Sequence, residues 1–236
     1  DMKVTKFMVL EVVGAVLVAA VFIRLARLVG TGEKPRGRFW NFFEAMLLFI
    51  RDEVARPAIG KHDADRFLPF LWTIFFFVLS CNLLGMVPWA GSPTGALATT
   101  GMLAFITFTA VVLSGSLKMG PLGFWKNQVP HMELPTIMAI GLIPIIFLIE
   151  IAGLFIKHFV LAVRLLANMM AGHLVLGVII AFIAASAGSI ACFVVIPSSI
   201  LGATALSCLE LFVAFLQAYI FTFLSALFIG MAVHPH

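Results

Sequence analysis

The run Val160-Leu161-Ala162-Val163-Arg164-Leu165-Leu166-Ala167-Asn168-Met169-Met170-Ala171-Gly172-His173 decides how this chain is read. One cation, Arg164, stands among apolar residues, and no further Asp, Glu, Lys or Arg appears until Glu210. A guanidinium stays protonated at any physiological pH. Holding it at membrane depth costs roughly 3 kcal/mol on insertion scales, so such a residue is seldom kept without a use. The default reading is a station on an ion path, and its partners have to be found.

The rest of the composition supplies the membrane. Hydrophobic residues make up 62% of the chain and charged residues 11%, whereas soluble domains carry about a quarter charged residues. Residues 67–117, 165–209 and 211–236 contain no charged side chain. One bilayer crossing takes about 20 apolar residues. The expectation is an all-α polytopic membrane protein, a single transmembrane domain over 1–236 with about five crossings and one interfacial helix. The first span lies within 1–29, its apolar part about Phe7 to Ile23 with Glu11 near the outer end. A cytoplasmic segment follows at 30–66, then a helical hairpin at 67–118 parted by Pro88, Gly91, Ser92, Pro93 and Gly95. A second cytoplasmic loop spans 119–135. The last part, 136–233, holds two long apolar runs at about 136–185 and 199–233, separated by Ser186-Ala187-Gly188-Ser189 and Pro197-Ser198-Ser199.

Basic residues set the orientation. Nine of the fifteen Lys and Arg fall between Arg24 and Arg66, and Lys118 and Lys126 lie in the other loop on that side. Loops 88–98 and 186–198 carry none, so the N-terminus faces outward and the C-terminus inward, with Lys3 and Lys6 arguing weakly the other way. The net charge of +4 is a topology signal and not a nucleic-acid footprint, because six acids between Glu33 and Asp65 interrupt the basic residues. Cys81, Cys192 and Cys208 lie in or beside apolar runs without a C-x-x-C pair, which argues against disulfide or metal roles. No cofactor or metal is expected. Residues 1–30 lack the order of a secretory leader, and a start at Asp1 reads as trimmed or processed.

Between the first two spans, Phe39, Phe42, Phe43, Met46, Leu47 and Ile50 recur at helical spacing, with Pro35 and Pro57 bracketing the segment. That face suits either lipid at the interface or another subunit. The last two runs are too long to stand upright. At 1.5 Å per residue, 136–185 would extend roughly 75 Å and 199–233 roughly 52 Å, against a hydrocarbon core of about 30 Å. They must tilt strongly, or bend at Gly141, Pro144, Gly153 or Gly172.

Arg164, Asn168 and His173 decorate the first arm of this hairpin, Glu210 and Gln217 the second. For an antiparallel pair the index sums of level residues stay constant, and those for Arg164 with Gln217 and for His173 with Glu210 differ by only two. One register therefore levels both pairs, with the two layers roughly 11–14 Å apart. Arg164 would lower the pKa of a carboxylic acid brought beside it and so make that acid release its proton. Gln217 and Asn168 can hold the guanidinium and order water, while His173 and Glu210 suit a proton relay. Glu150, Lys157 and Asn82 are further candidates for a half-channel or a structural role. No acid of the hairpin is level with Arg164, so its partner is expected from another chain. Ala167, Ala171 and Gly172 allow another helix close approach, although internal packing explains them equally well.

The stretch Arg164 to His173, with Glu210, Leu216-Gln217-Ala218-Tyr219-Ile220-Phe221 and Asn82-Leu83-Leu84-Gly85-Met86-Val87-Pro88, resembles subunit a of the F-type ATP synthase membrane sector. The resemblance covers roughly 40–233. It implies a non-catalytic, proton-translocating stator subunit of a rotary ATP synthase, with Arg164 as the essential arginine beside Asn168 and Gln217. It also implies two half-channels, the outer one involving His173 and Glu210, which exchange protons with carboxylates on a rotating ring. Some relatives carry this acid and histidine in the opposite order. The implied partners are that oligomeric ring of small carboxylate-bearing two-helix subunits, the peripheral-stalk subunit b and membrane lipid, with no nucleic acid. The implied location is a bacterial plasma membrane, with the mitochondrial inner membrane as the alternative. A secondary transporter would show two related halves with interrupted helices, which this sequence lacks. An intramembrane enzyme would need a motif such as H-E-x-x-H or G-x-S-x-G, also absent. A structural scaffold leaves Arg164 without explanation.

Overall fold

In hydrocarbon every backbone N–H and C=O must be satisfied within its own segment, so long apolar runs fold as helices. The computed structural model describes residues 6–30, 37–87, 91–120, 123–124, 136–186, 188 and 192–233, and those residues are helical apart from short turns. The markers Lys3, Pro35, Pro88, Lys126, Ala187 and Ser189 lie outside the described residues. Five helices are long and apolar enough to cross a membrane: α1 (Lys6–Gly30), α4 (Ala64–Gly85), α5 (Leu97–Met119), α6 (Thr136–Ser186) and α7 (Cys192–Val233). The segment between α1 and α4 holds α2 (Arg38–Phe49), a π-helical stretch Ile50–Ala55, and α3 (Arg56–Ile59).

Two boundaries differ from the sequence expectation. The first helix, Lys6–Gly30, runs on beyond the apolar part that ends at Ile23, because Arg24 and Arg27 have stems long enough to carry their charge to the interface without breaking the helix. Pro57 does not end the interfacial segment. It sits in the first turn of α3, directly after the π-helical stretch, and the wider turn relieves the clash a proline ring makes with the carbonyl four residues back. Likewise α7 starts at Cys192, ahead of Pro197; so near a helix start, proline forfeits only one backbone bond.

The face of α2 is divided between two environments. Met46 and Ile50 are buried, joined along the segment by Val54, Ala55 and Ile59, whereas Phe39 and Phe42 remain 58% exposed. Trp72 of α4 donates its indole N–H to the Leu47 carbonyl at 3.1 Å and ties the segment to the bundle. Its exposed rim carries Asp52, whose carboxyl the Arg51 side chain holds below the ordinary value by hydrogen bonding, with Arg56 adding to the effect.

The second half of α7 forms the centre of the molecule, with Ala218, Phe221, Ala226 and Ile229 fully buried. It packs against α3, α4, α5 and α6. Gly230 lets its backbone press onto α3: an added Cβ would lie 2.9 Å from the Ala58 carbonyl carbon, with the oxygen closer still. Across the same end, a Cβ on Gly115 of α5 would stand 3.2 Å from the Ala232 carbonyl oxygen and clash with the edge of the Phe124 ring. At the basic end Lys118 pairs with Asp63, and Gly120, at φ 80°, closes α5 in a conformation that disfavours other residues. The α6–α7 hairpin runs far beyond the bundle: 51 and 42 residues correspond to about 77 and 63 Å of helix.

The Gly230 contact is backbone against backbone, so it cannot be relieved by a side-chain rotation. Gly230→Ala should lower the stability of the purified subunit by about 1–3 kcal/mol through overpacking, read as a fall in its thermal midpoint. Gly202→Ala, where the added methyl meets open space, should leave that midpoint unchanged or slightly higher. Equal midpoints for the two variants would contradict this packing.

Candidate functional site

The site is built on α6. Residues His158, Leu161, Ala162, Leu165 and Met169 recur every three or four positions and are buried against the bundle. The other side of the helix is bare: Phe159, Val160, Val163, Ala167, Met170, Ala171 and Leu174 are exposed, and so is Arg164. Among the described residues the Arg164 guanidinium has neither a hydrogen bond nor an ion pair, and the salt bridges formed there involve Asp52 and Asp63, far along the chain from the hairpin. A permanent charge therefore stands on an apolar face with no carboxylate of the described residues beside it.

Across the hairpin the situation is reversed. Glu210 is only 8% exposed, and its Oε1 has no hydrogen-bond partner among the described residues. Its side chain lies over Gly172, where an added Cβ would sit 2.9 Å from the carboxyl carbon. Level 172 with 210 falls midway between the two pairings that the index argument required. Beside the carboxyl is a cavity of about 160 Å³ bordered by Asn168, Ala171, Gly172, Leu206, Glu210 and Val213. Taking about 30 Å³ per liquid water, it has room for roughly five, and Asn168 and Glu210 supply polar partners. Gly172 thus serves internal packing, while Ala167 and Ala171 are left open to the outside.

Not every candidate is drawn together. Asn168, Gly172 and Glu210 share the cavity, but His173 turns to the exposed side and forms no ion pair with Glu210. One residue beyond Gly172 on a helix is rotated by about 100°, which carries the imidazole off the hairpin seam. Gln217 is buried at 4% exposure with Nε2 unpartnered, and no hydrogen bond joins it to Arg164. Lys157 is exposed and Glu150 half-buried, without an ion pair between them. Asn82 is fully buried: its Nδ2 donates to the Ala214 carbonyl at 3.2 Å and its Oδ1 accepts from Thr94 Oγ1 at 2.9 Å. The Ser92 and Thr94 hydroxyls lie 3.0 Å apart. This chain of bonds fixes α7 between Glu210 and Gln217 to the outer end of α4.

Sequence reasoning passed over three groups. His158 belongs to the buried stripe of α6, a position that its spacing from Leu161, Leu165 and Met169 could have revealed. Thr94 completes the Asn82 bonds, and Thr99 of α5 donates a short hydrogen bond to Glu11 of α1. Among the described residues no three His, Cys, Asp or Glu side chains converge as metal ligands.

Comparison with known proteins gives this arrangement a family. The profile of the ATP synthase A chain family matches residues 8–230. The chain is 42% identical to ATP synthase subunit a of Myxococcus xanthus, an alignment covering 100% of this chain and 76% of that protein. It is 40% identical to ATP synthase subunit a of an Anaeromyxobacter strain, over 100% of this chain but 56% of that one. With the Chloroherpeton thalassium ATP synthase subunit a the identity is 39%, over 99% of this chain and 67% of the relative. The chain therefore spans between about half and three quarters of the length of these relatives. It belongs to the ATP synthase A chain family.

Proposed function

We propose that this chain is the proton-conducting stator subunit of a rotary F-type ATP synthase in a bacterial plasma membrane, with no catalytic site of its own. The observation that carries the reading is the contrast across one hairpin. Arg164 is exposed on an apolar face without a carboxylate among the described residues, while Glu210 is buried beside a cavity that fits water. The missing anion is supplied by an oligomeric ring of small two-helix proteins sliding past Ala167 and Ala171, and subunit b holds the stator.

The chemistry follows from charge and solvation. Protons enter from the outer side past His173 on the exposed face and through waters held by Glu210 and Asn168, and neutralise a ring carboxylate. Neutral, that group crosses lipid, where an isolated carboxylate would be very costly. After nearly a full turn it reaches the inner half-channel, and the fixed charge of Arg164 favours its ionised form, so the proton leaves. Arg164 also repels a proton attempting the direct route between the half-channels. Gln217 and Asn168 order water around the guanidinium, Asn82 holds α7 at the right height, and Glu150 and Lys157 serve the inner mouth. Each proton moving through 100 mV supplies about 2.3 kcal/mol.

Arg164→Ala in the assembled complex should abolish ATP-driven acidification of reconstituted vesicles while the subunit still co-purifies with the complex; normal pumping would refute the role. Exchanging the relay groups, His173→Glu with Glu210→His, should retain more pumping than either single change. A double variant no better than the singles would show that the two do not work together. Ala167→Cys and Ala171→Cys should each cross-link to a cysteine placed on the ring subunits, and absence of any adduct from both would remove this face from the ring interface.

A further inference from the structure

One buried titratable group has no part in the scheme above. His158 of α6 is 4% exposed, and its Nδ1 lies 2.8 Å from the Leu154 carbonyl. A carbonyl only accepts, so Nδ1 carries the hydrogen and Nε2 presents a bare lone pair. That nitrogen is buried without a partner among the described residues. Buried polar atoms are nearly always satisfied by protein or by ordered water, so a lone pair left this way calls for a donor.

Its surroundings indicate where a donor comes from. The imidazole is edge-on to Phe108 of α5 at 5.3 Å and lies 5.0 Å from Phe228 of α7, so it sits where three helices meet. Ser225, one turn from Phe228, and Thr107, next to Phe108, are both buried. Their hydroxyls donate to the backbone carbonyls of Phe221 and Ala104, which leaves the hydroxyl oxygens free to accept. Along α7 toward Arg164 come the buried hydroxyl of Thr222 and then Gln217, whose Nε2 is likewise buried without a partner among the described residues. His158 precedes Arg164 by six residues, about 9 Å of helix, on the side of the basic loops.

We propose that His158 is a proton-relay residue on the inner side of Arg164, linked through water to Gln217, Thr222 and Ser225. This rests on the proton-conducting reading given above. Nε2 takes a proton from a water on the Gln217 side, forming the imidazolium, and returns one from Nε2 to a water on the basic-loop side. The ring ends neutral, and Nδ1–H stays bonded to Leu154 throughout. Among the described residues no carboxylate bonds to this group. The only charged residue of α5 is Lys118, ten residues from Phe108, and α7 contributes Glu210 and the phenol of Tyr219, both nearer Arg164. On α6 the neighbours are Lys157 and, two turns away, Glu150.

The test uses the whole complex in liposomes, with proton flux driven by an imposed potential and recorded while the pH on the basic-loop side is varied between about 5 and 8, where imidazole titrates. His158→Gln and His158→Phe should slow the flux on the order of 100-fold, the lower end of what a positioned proton carrier contributes, and flatten its pH dependence. Flux and pH profile superimposing on the wild type would overturn the relay. If neither variant assembles, Ser225→Cys, in a background freed of the three native cysteines, decides. A small membrane-impermeant thiol reagent added on the basic-loop side should modify it, and no modification would overturn the relay. The two readings fail separately: a wild-type profile in His158→Gln beside an inactive Arg164→Ala removes only the relay, whereas pumping by Arg164→Ala removes both.

Discussion

The close seating of the second half of α7 is the constraint on which the molecule depends. Gly230 against the Ala58 carbonyl and Gly115 against the Ala232 carbonyl bring three backbones together without intervening side chains. Fixing that end of α7 in the bundle determines where the remainder of the helix goes. Its first half, with most of α6, is left outside the core with large apolar side chains bare. The hairpin is thus anchored at one end and bare at the other.

Two ionisable groups take opposite environments on this scaffold. Arg164 stands on the bare face, where its charge is available, and Glu210 is withdrawn against Gly172, beside space for water. Exchanging the two would fail on physical grounds. A carboxylate on the bare apolar face would be neutralised, and a guanidinium in the small cavity would be buried without an anion. Charge type and location agree with a path that accepts protons from the hairpin seam and is divided at its surface.

Much of this was legible in the sequence because lipid imposes strict rules. The five long apolar helices follow from long runs with few charges and the demand for internal backbone hydrogen bonding, and the hairpin register follows from pairing polar residues alone. What escaped were features in which two elements meet without a local signal. Pro57 read as a terminator, since a proline interrupts the α-helical ladder, yet the π-helical stretch absorbs it. Equal index sums level His173 with Glu210, but level is not azimuth, and the imidazole is on the exposed side. His158 carries no local polar signal, and only its spacing places it among the buried leucines of α6.

The hydrogen bond from Asn82 to the Ala214 carbonyl has a mechanical meaning. In the proposed role the subunit would bear a sideways load from the rotor, and the bare half of the hairpin would be the lever on which that load acts. Asn82, braced in turn by Thr94 and Ser92, acts as a stay close to the fulcrum, between the acid and the amide whose spacing matters most. Shear in that role would fall on the second span and its loop rather than on the helix axis, leaving the cavity beside Glu210 its shape.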